Sequence, residues 1–386
     1  MSDEVGGAGD ALERAAQDAL KGGLPAEGEM FDVESAPLGP VVALDVLARR
    51  IPKAELHLHF EGALRPSTLR RLERKYGDEV PPGARPDAGF DYCGFSKFGA
   101  DLAAAGKLLR DAETVTEAAL DVLAAEVDAG CRHVELMVTL GFHADLGWDP
   151  LEFVRAVAEA FGTAQDLWDL SGGVIVEFDR SAGGEVAAEI ATIAADAADA
   201  GLPVLGVGNS GDPLSVPFAD LRPGYDAARA RGLRLCGHVD LPDDVAPALE
   251  LGLDRIDHGY SALFVPELLA EVVDRQVPLT VCMTSNILQM PGIFADFEHH
   301  PVVGLVEAGA NCTFHTDDPP YFFTDLAQEY RTAARTLAWA PAQLGAAARA
   351  SLHAAWLPTE QRDARLAQWD RELDALLADP RRTTLA

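Results

Sequence analysis

The stretch Pro52-Lys53-Ala54-Glu55-Leu56-His57-Leu58-His59-Phe60-Glu61-Gly62 decides how this chain reads. The two-residue period of a strand places His57 and His59 on one face. Two neutral imidazoles on one face can share a cation, or they can be two hydrogen-bonded core histidines. Residues elsewhere in the chain separate these possibilities.

Outward from this strand, short apolar runs alternate with Ala-rich stretches of helical period from residue 41 onward, the pattern of βα units around a parallel sheet. Strands are expected at 54–60, 133–140, 173–179, 203–207, 233–239, 255–259, 279–284 and 312–316. Helix-compatible segments at 115–129, 185–200, 219–231, 245–251, 266–274 and 301–308 lie between them. Only the first connection is long, a roughly 70-residue insertion with helices expected over 66–76 and 95–109 that can cover a pocket. Eight such strands fit either two doubly wound sheets or one closed barrel.

Polar residues at the expected strand ends favour the barrel. His238 ends the fifth strand, His258 ends the sixth, and His315-Thr316-Asp317-Asp318-Pro319 closes the eighth. Side chains at the carboxyl ends of non-adjacent strands need one shared centre, which the top face of a barrel supplies. The expected fold is therefore α/β, a TIM-type (β/α)8 barrel with extra helices after the first strand and at the C-terminus. Residues 1–40, rich in Gly, Ala, Glu and Pro, read as a flexible extension carrying one helix at 10–21.

His57, His59, His238 and Asp317 form a mixed nitrogen and oxygen set that suits one divalent metal ion, zinc first, with Fe2+ or Co2+ tolerated. Such an ion lowers the pKa of a water molecule to about 7. His258 is left over as the base or electrostatic partner of that water. The fourth strand runs Leu205-Gly206-Val207-Gly208-Asn209-Ser210, with no Lys or Glu to bridge a second ion, so a mononuclear site is expected. Ser210-Gly211-Asp212 offers backbone N–H groups to a flat heterocycle, or is an ordinary turn. His315 falls on the face of Asp317 but in a deeper layer, and is not expected to be a ligand. His299-His300-Pro301 reads as a helix cap, and the five cysteines, Cys93, Cys131, Cys236, Cys282 and Cys312, as inert core thiols.

Composition narrows the partners. The chain has 386 residues, 48% hydrophobic and 24% charged, enough for one large barrel. Acidic residues outnumber basic ones by 62 to 31, a formal charge of −31 that repels nucleic acid and anionic lipid alike. No apolar run approaches the roughly 18 residues of a membrane span, and the first residues lack the basic and apolar regions of a signal peptide. A cytoplasmic protein with a small-molecule substrate is expected; its oligomeric state is left open.

Four motifs in order, Pro52 to Gly62, Arg255-Ile256-Asp257-His258-Gly259, Val281-Cys282-Met283-Thr284-Ser285-Asn286 and Thr316-Asp317-Asp318-Pro319, resemble the adenosine/adenine deaminase family of metal-dependent amidohydrolases over about residues 45–356. The resemblance implies a one-zinc barrel domain over 41–386 that hydrolyses the amino group of a purine or related amino-heterocycle. It makes His57, His59, His238 and Asp317 metal ligands. It also gives His258 and Asp317 the hydrolytic water, and makes Glu61, Gly211 and Asp318 substrate-binding residues.

One position departs from the family. The Glu expected three residues after the fifth-strand ligand, which protonates the purine ring, is Leu241. Losing a general acid lowers the rate by about 10²–10⁴-fold. Three readings follow: Asp240, on the face of His238, takes the role; the substrate is one that does not need that proton; or the chain keeps the metal and binds a ligand without turning it over.

Overall fold

The computed structural model describes residues 40–89, 94–290 and 293–378. The helix expected at 10–21, the rest of the extension before Pro40, and Cys93 lie outside the described residues. Pro40–Ala386 forms one compact unit.

Eight parallel strands follow in chain order among the described residues: β1 (Lys53–His59), β2 (Cys131–Thr139), β3 (Ser171–Asp179), β4 (Val204–Ser210), β5 (Arg234–Leu235), β6 (Ile256–Asp257), β7 (Leu279–Val281) and β8 (Cys312–Phe314). β1 to β5 pair in sequence, as do β6 to β8. Two single bridges, His238 with Asp257 and Leu58 with Asp317, join the two sheets into a closed barrel. Backbone bonds hold the second joint from both sides, His59 N to Asp317 O at 3.0 Å and Asp317 N to His57 O at 2.9 Å. The barrel thus closes through its expected metal ligands.

Several expected boundaries shift for physical reasons. The fourth strand, expected over 203–207, runs on to Ser210. A Cβ at Gly206 would lie 2.4 Å from Arg234 O and 2.5 Å from the Trp356 ring, so this glycine admits close neighbours rather than ending the strand. The seventh strand stops at Val281, not at 284, because the helix Met283–Gln289 begins there and swings Ser285 and Asn286 towards the barrel mouth. The fifth and sixth strands keep only two regular residues each, since the chain bends away before His238 and His258.

The insertion after β1 carries the helices Pro66–Tyr76, Phe95–Gly106 and Ala112–Asp128. Asp111 caps the last of these by accepting a hydrogen bond from Thr114 N. Phe98 and Leu102 on Phe95–Gly106 pack with Tyr321 and Phe322, which follow β8. Ser96 Oγ donates to Asp212 beyond β4 at 2.9 Å, so this helix bridges loops at the mouth. At the opposite end, Trp356 plugs the barrel against Met137, Ile175 and Cys236. Its ring lies 4.2 Å from the Arg255 guanidinium, which pairs with Glu135 at 2.8 Å. The C-terminal helices Pro341–Ala354 and Thr359–Leu377 flank that plug.

Candidate metal centre

His57 and His59 lie inside β1, where strand alternation aims both into the barrel. His238 follows β5 and Asp317 follows β8, and one ligand atom from each of the four residues lies within 4.8 Å of all the others. His57 Nε2 and His59 Nε2 stand 3.1 and 3.2 Å from His238 Nε2. Asp317 Oδ1 is 3.5 Å from His57 Nε2 and 3.2 Å from His59 Nε2. A tetrahedral zinc with ligand bonds of about 2.0–2.1 Å spaces its donors about 3.3 Å apart, so the four atoms fit such an ion.

The outer nitrogens settle where the ring protons are. Thr280 Oγ1 donates to Asp257 Oδ1 at 2.8 Å and so accepts from His57 Nδ1 at 3.0 Å. His59 Nδ1 faces Glu177 Oε2 at 3.0 Å, and His238 Nδ1 donates to the carbonyl of Asn209. All three Nδ1 atoms therefore carry protons, which leaves three Nε2 atoms converging with a carboxylate on one point. A divalent metal ion fits that arrangement. Ser285 Oγ holds the other oxygen of Asp317 at 2.5 Å.

Charge at the site follows burial and pairing. Burial pushes the His57 imidazole below its ordinary value. For His59, burial is outweighed by Glu177 and Asp317, which raise it. Burial pushes His258 well down, and the neighbouring His57 adds to this. Asp317 is held well below the carboxylate range by His57 and His59 against the cost of burial.

Beside this cluster, His258 Nε2 lies 4.0 Å from both Asp317 Oδ2 and Asp240 Oδ1. Both His258 and Asp317 have positive φ, 58° and 67°, a strained backbone for residues with a Cβ. Asp240 is buried and accepts from Tyr260 OH at 3.1 Å, and burial lifts its carboxyl to about 6. Leu241 occupies the turn that starts the helix Pro242–Leu251, where Asp244 is gripped by a bidentate pair with the buried Arg180.

The remaining expected residues occupy the same end of the barrel. Asp318 is folded so closely over Gly62 that a Cβ there would lie 1.5 Å from Asp318 Oδ1, and that oxygen has no partner. Glu61 pairs with His143 at 2.7 Å, leaving its buried Oε2 without a partner. Gly211 follows β4 against the Asp179 carboxylate. His315, as expected, stays in the deeper layer, bonded to Glu55 at 2.9 Å and Thr313 at 2.8 Å. Sequence reasoning passed over Glu177, Asn209, Thr280, Ser285, Asn286 and His143. Glu177 alone carried a visible signal, an acid inside the apolar run Val174-Ile175-Val176-Glu177-Phe178.

Residues 52–371 match the family model described as adenosine deaminase. An adenine deaminase of Rhizobium leguminosarum bv. trifolii is 32% identical, over 82% of this chain and 98% of its own. An aminodeoxyfutalosine deaminase of Streptomyces avermitilis is 33% identical, over 80% of this chain and 87% of its own. Among solved structures, adenine deaminase from Arthrobacter aurescens superimposes with a TM-score of 0.78 at 25% identity, covering 85% of this chain and 99% of that one. An amidohydrolase from Burkhoderia ambifaria solved with bound Zn, 23% identical, shares the fold at a TM-score of 0.76, covering 89% of this chain and 96% of that one.

Proposed function

Because the chain belongs to the adenosine deaminase family, we propose that it is a zinc-dependent aminohydrolase that removes the amino group of a purine or related amino-heterocycle as ammonia. The observation that carries this reading is the point on which three Nε2 atoms and the Asp317 carboxylate converge. His57, His59, His238 and Asp317 would hold the ion. When bound, zinc supplies the Lewis acid that makes water nucleophilic near neutral pH.

The chain's own groups divide the rest of the work. His258 and Asp317 Oδ2 flank the position of the attacking water and orient it. Asp240 lies on the same side of the cluster, and the Tyr260 hydroxyl holds its carboxyl in place. Its place two residues beyond His238 supports it as the acid that protonates the ring nitrogen, the part Leu241 cannot play. Asp318 and Glu61, each with a buried oxygen lacking a partner, offer hydrogen-bonding groups to the heterocycle, and Gly211 contributes its backbone N–H. The partner is a small molecule rather than nucleic acid. Among the described residues no helix is long and apolar enough to cross a membrane, and a cytoplasmic location is part of the same proposal.

Leu241 favours one variation, a substrate whose ring does not need a proton from that position. An ammonia-release screen over adenine, adenosine, aminodeoxyfutalosine, pterins and amino-pyrimidines, run with metal analysis on the same zinc-replete sample, tests both. Release from at least one compound is expected. A metal-loaded protein that releases ammonia from none of them overturns the aminohydrolase reading.

A further inference from the structure

Behind His258, on the side away from the metal ligands, a line of buried polar groups runs to a backbone amide. Val302 N lies 3.1 Å from His300 Nδ1, His300 Nε2 lies 3.2 Å from Asn286 Oδ1, and Asn286 Nδ2 lies 3.2 Å from His258 Nδ1. His300, Asn286 and His258 are each buried. The elements that bring them together are the helix Met283–Gln289 and the helix Val302–Glu307, at whose start His300 sits.

The direction of every bond in this line is fixed from one end. A backbone N–H can only donate, so His300 Nδ1 carries no proton and the ring proton sits on Nε2. That N–H needs an acceptor, which makes the Asn286 atom facing it the carbonyl oxygen and removes the usual ambiguity of an amide flip. The amide nitrogen of Asn286 then faces His258 Nδ1 and donates to it. His258 is left with its ring proton on Nε2, the nitrogen 4.0 Å from Asp317 Oδ2 and Asp240 Oδ1. The Phe294 ring lies 5.4 Å from that of His300 at an interplanar angle of 33°, which limits its freedom to turn over.

We propose that Asn286 and His300 are positioning residues that lock His258 in the Nε2–H tautomer, so that it meets the reacting water as a hydrogen-bond donor. This rests on the proposed function only for what the donor acts upon; the tautomer itself follows from the hydrogen-bond line. A consequence for the chemistry is that His258 has no free lone pair facing the site. The proton leaving the attacking water passes to the Asp317 carboxylate rather than to the imidazole, Asp240 being already protonated as the acid.

Ring-nitrogen spectroscopy reads this directly. The zinc-loaded full chain is labelled with 15N in its histidine rings and compared by long-range 1H–15N correlation with His258→Gln, which assigns the signal, and with Asn286→Asp and His300→Phe. His258 is expected as a single species with Nε2 protonated and Nδ1 bare. A carboxylate at position 286 can only accept, so Asn286→Asp moves the proton to Nδ1. There kcat falls about 10–100-fold, the range for outer partners of a metal site, while zinc per chain and KM stay unchanged. His300→Phe frees the amide to turn, and the His258 signal divides between the two tautomers.

A wild-type His258 protonated on Nδ1 overturns the proposal, and so does an Asn286→Asp spectrum identical to wild type. Should Asn286→Asp fail to fold, the wild-type spectrum and His300→Phe still decide, an undivided signal in His300→Phe removing that residue from the lock. If no amino-heterocycle is turned over, the proposed function falls while the spectrum still answers for the tautomer.

Discussion

The two halves of the barrel are built differently. β1 to β4 are seven to nine residues long, whereas β5 to β8 keep only two or three regular residues each. The long half carries His57 and His59 within the strand itself and braces His59 with Glu177 from β3. The short half delivers His238, Asp240, His258, Ser285, Asn286 and Asp317 from segments that have already left the strand. Regular strands give a stiff frame with fixed alternation. Irregular strand ends give the freedom to aim side chains, here with the left-handed backbone of His258 and Asp317. Each half gives two residues to the metal cluster, whereas the groups proposed to act on the water and the ring all come from the short half.

This division can be broken by substitution. Asp317→Ala, in the short half, has the largest expected effect: it removes a ligand, the Ser285 contact and the carboxylate beside the water, so bound zinc and turnover are both lost in metal analysis and ammonia assays. Next comes Asp240→Asn, which keeps the shape but not the acid and should lower kcat by about 10²–10⁴-fold with zinc retained. Near-wild-type turnover in that variant removes Asp240 from the mechanism and leaves a substrate that needs no ring proton. In the long half, Glu177→Gln should weaken zinc binding by about 10–100-fold in competition with a chelator, since it loosens the orientation of His59. A loss there as complete as that of Asp317→Ala would erase the distinction between frame and chemistry.

The smallest expected effect concerns stability. Glu329 is buried where the short half meets its helices, taking hydrogen bonds from Thr284 and Thr324, and burial lifts its carboxyl to about 7. A carboxyl whose folded value stands above its unfolded one favours the folded state while it is protonated. Its contribution is thus whole below about pH 4.5 and lost as pH rises through about 7. Urea melts should show wild type losing on the order of 2–3 kcal/mol relative to Glu329→Gln across that window. Parallel pH curves for the two proteins would show that Glu329 titrates alike in both states.

Legibility in the sequence follows the same division. The long strands announce themselves through continuous apolar runs, and the pair His57 and His59 through alternation inside one of them. The short strands were overdrawn because apolar residues such as Cys282 and Met283 continue past the last ladder bond, and nothing local marks the change to helix. The grouping of His238 and Asp317 with His57 and His59 was legible because a barrel gives strand ends a common centre. Thr280, Ser285 and Asn286 were not, because a small polar residue near a strand end looks the same whether it faces solvent or a buried carboxylate. His300 was read as a cap; its Nδ1 does accept Val302 N, but its reach to Asn286 depends on two helices that only the folded chain brings together.

The seam between β8 and β1 has a consequence beyond chemistry. Its backbone bonds belong to His57, His59 and Asp317, the residues proposed to hold the ion, so an ion bound there would act as a rivet across the joint where the first and last strands of the ring meet. A ligand that binds only the closed form favours it by mass action, in proportion to how far its concentration exceeds the dissociation constant. The supply of zinc in the cell would then govern how long a copy of this protein escapes proteolysis, as well as how fast it works.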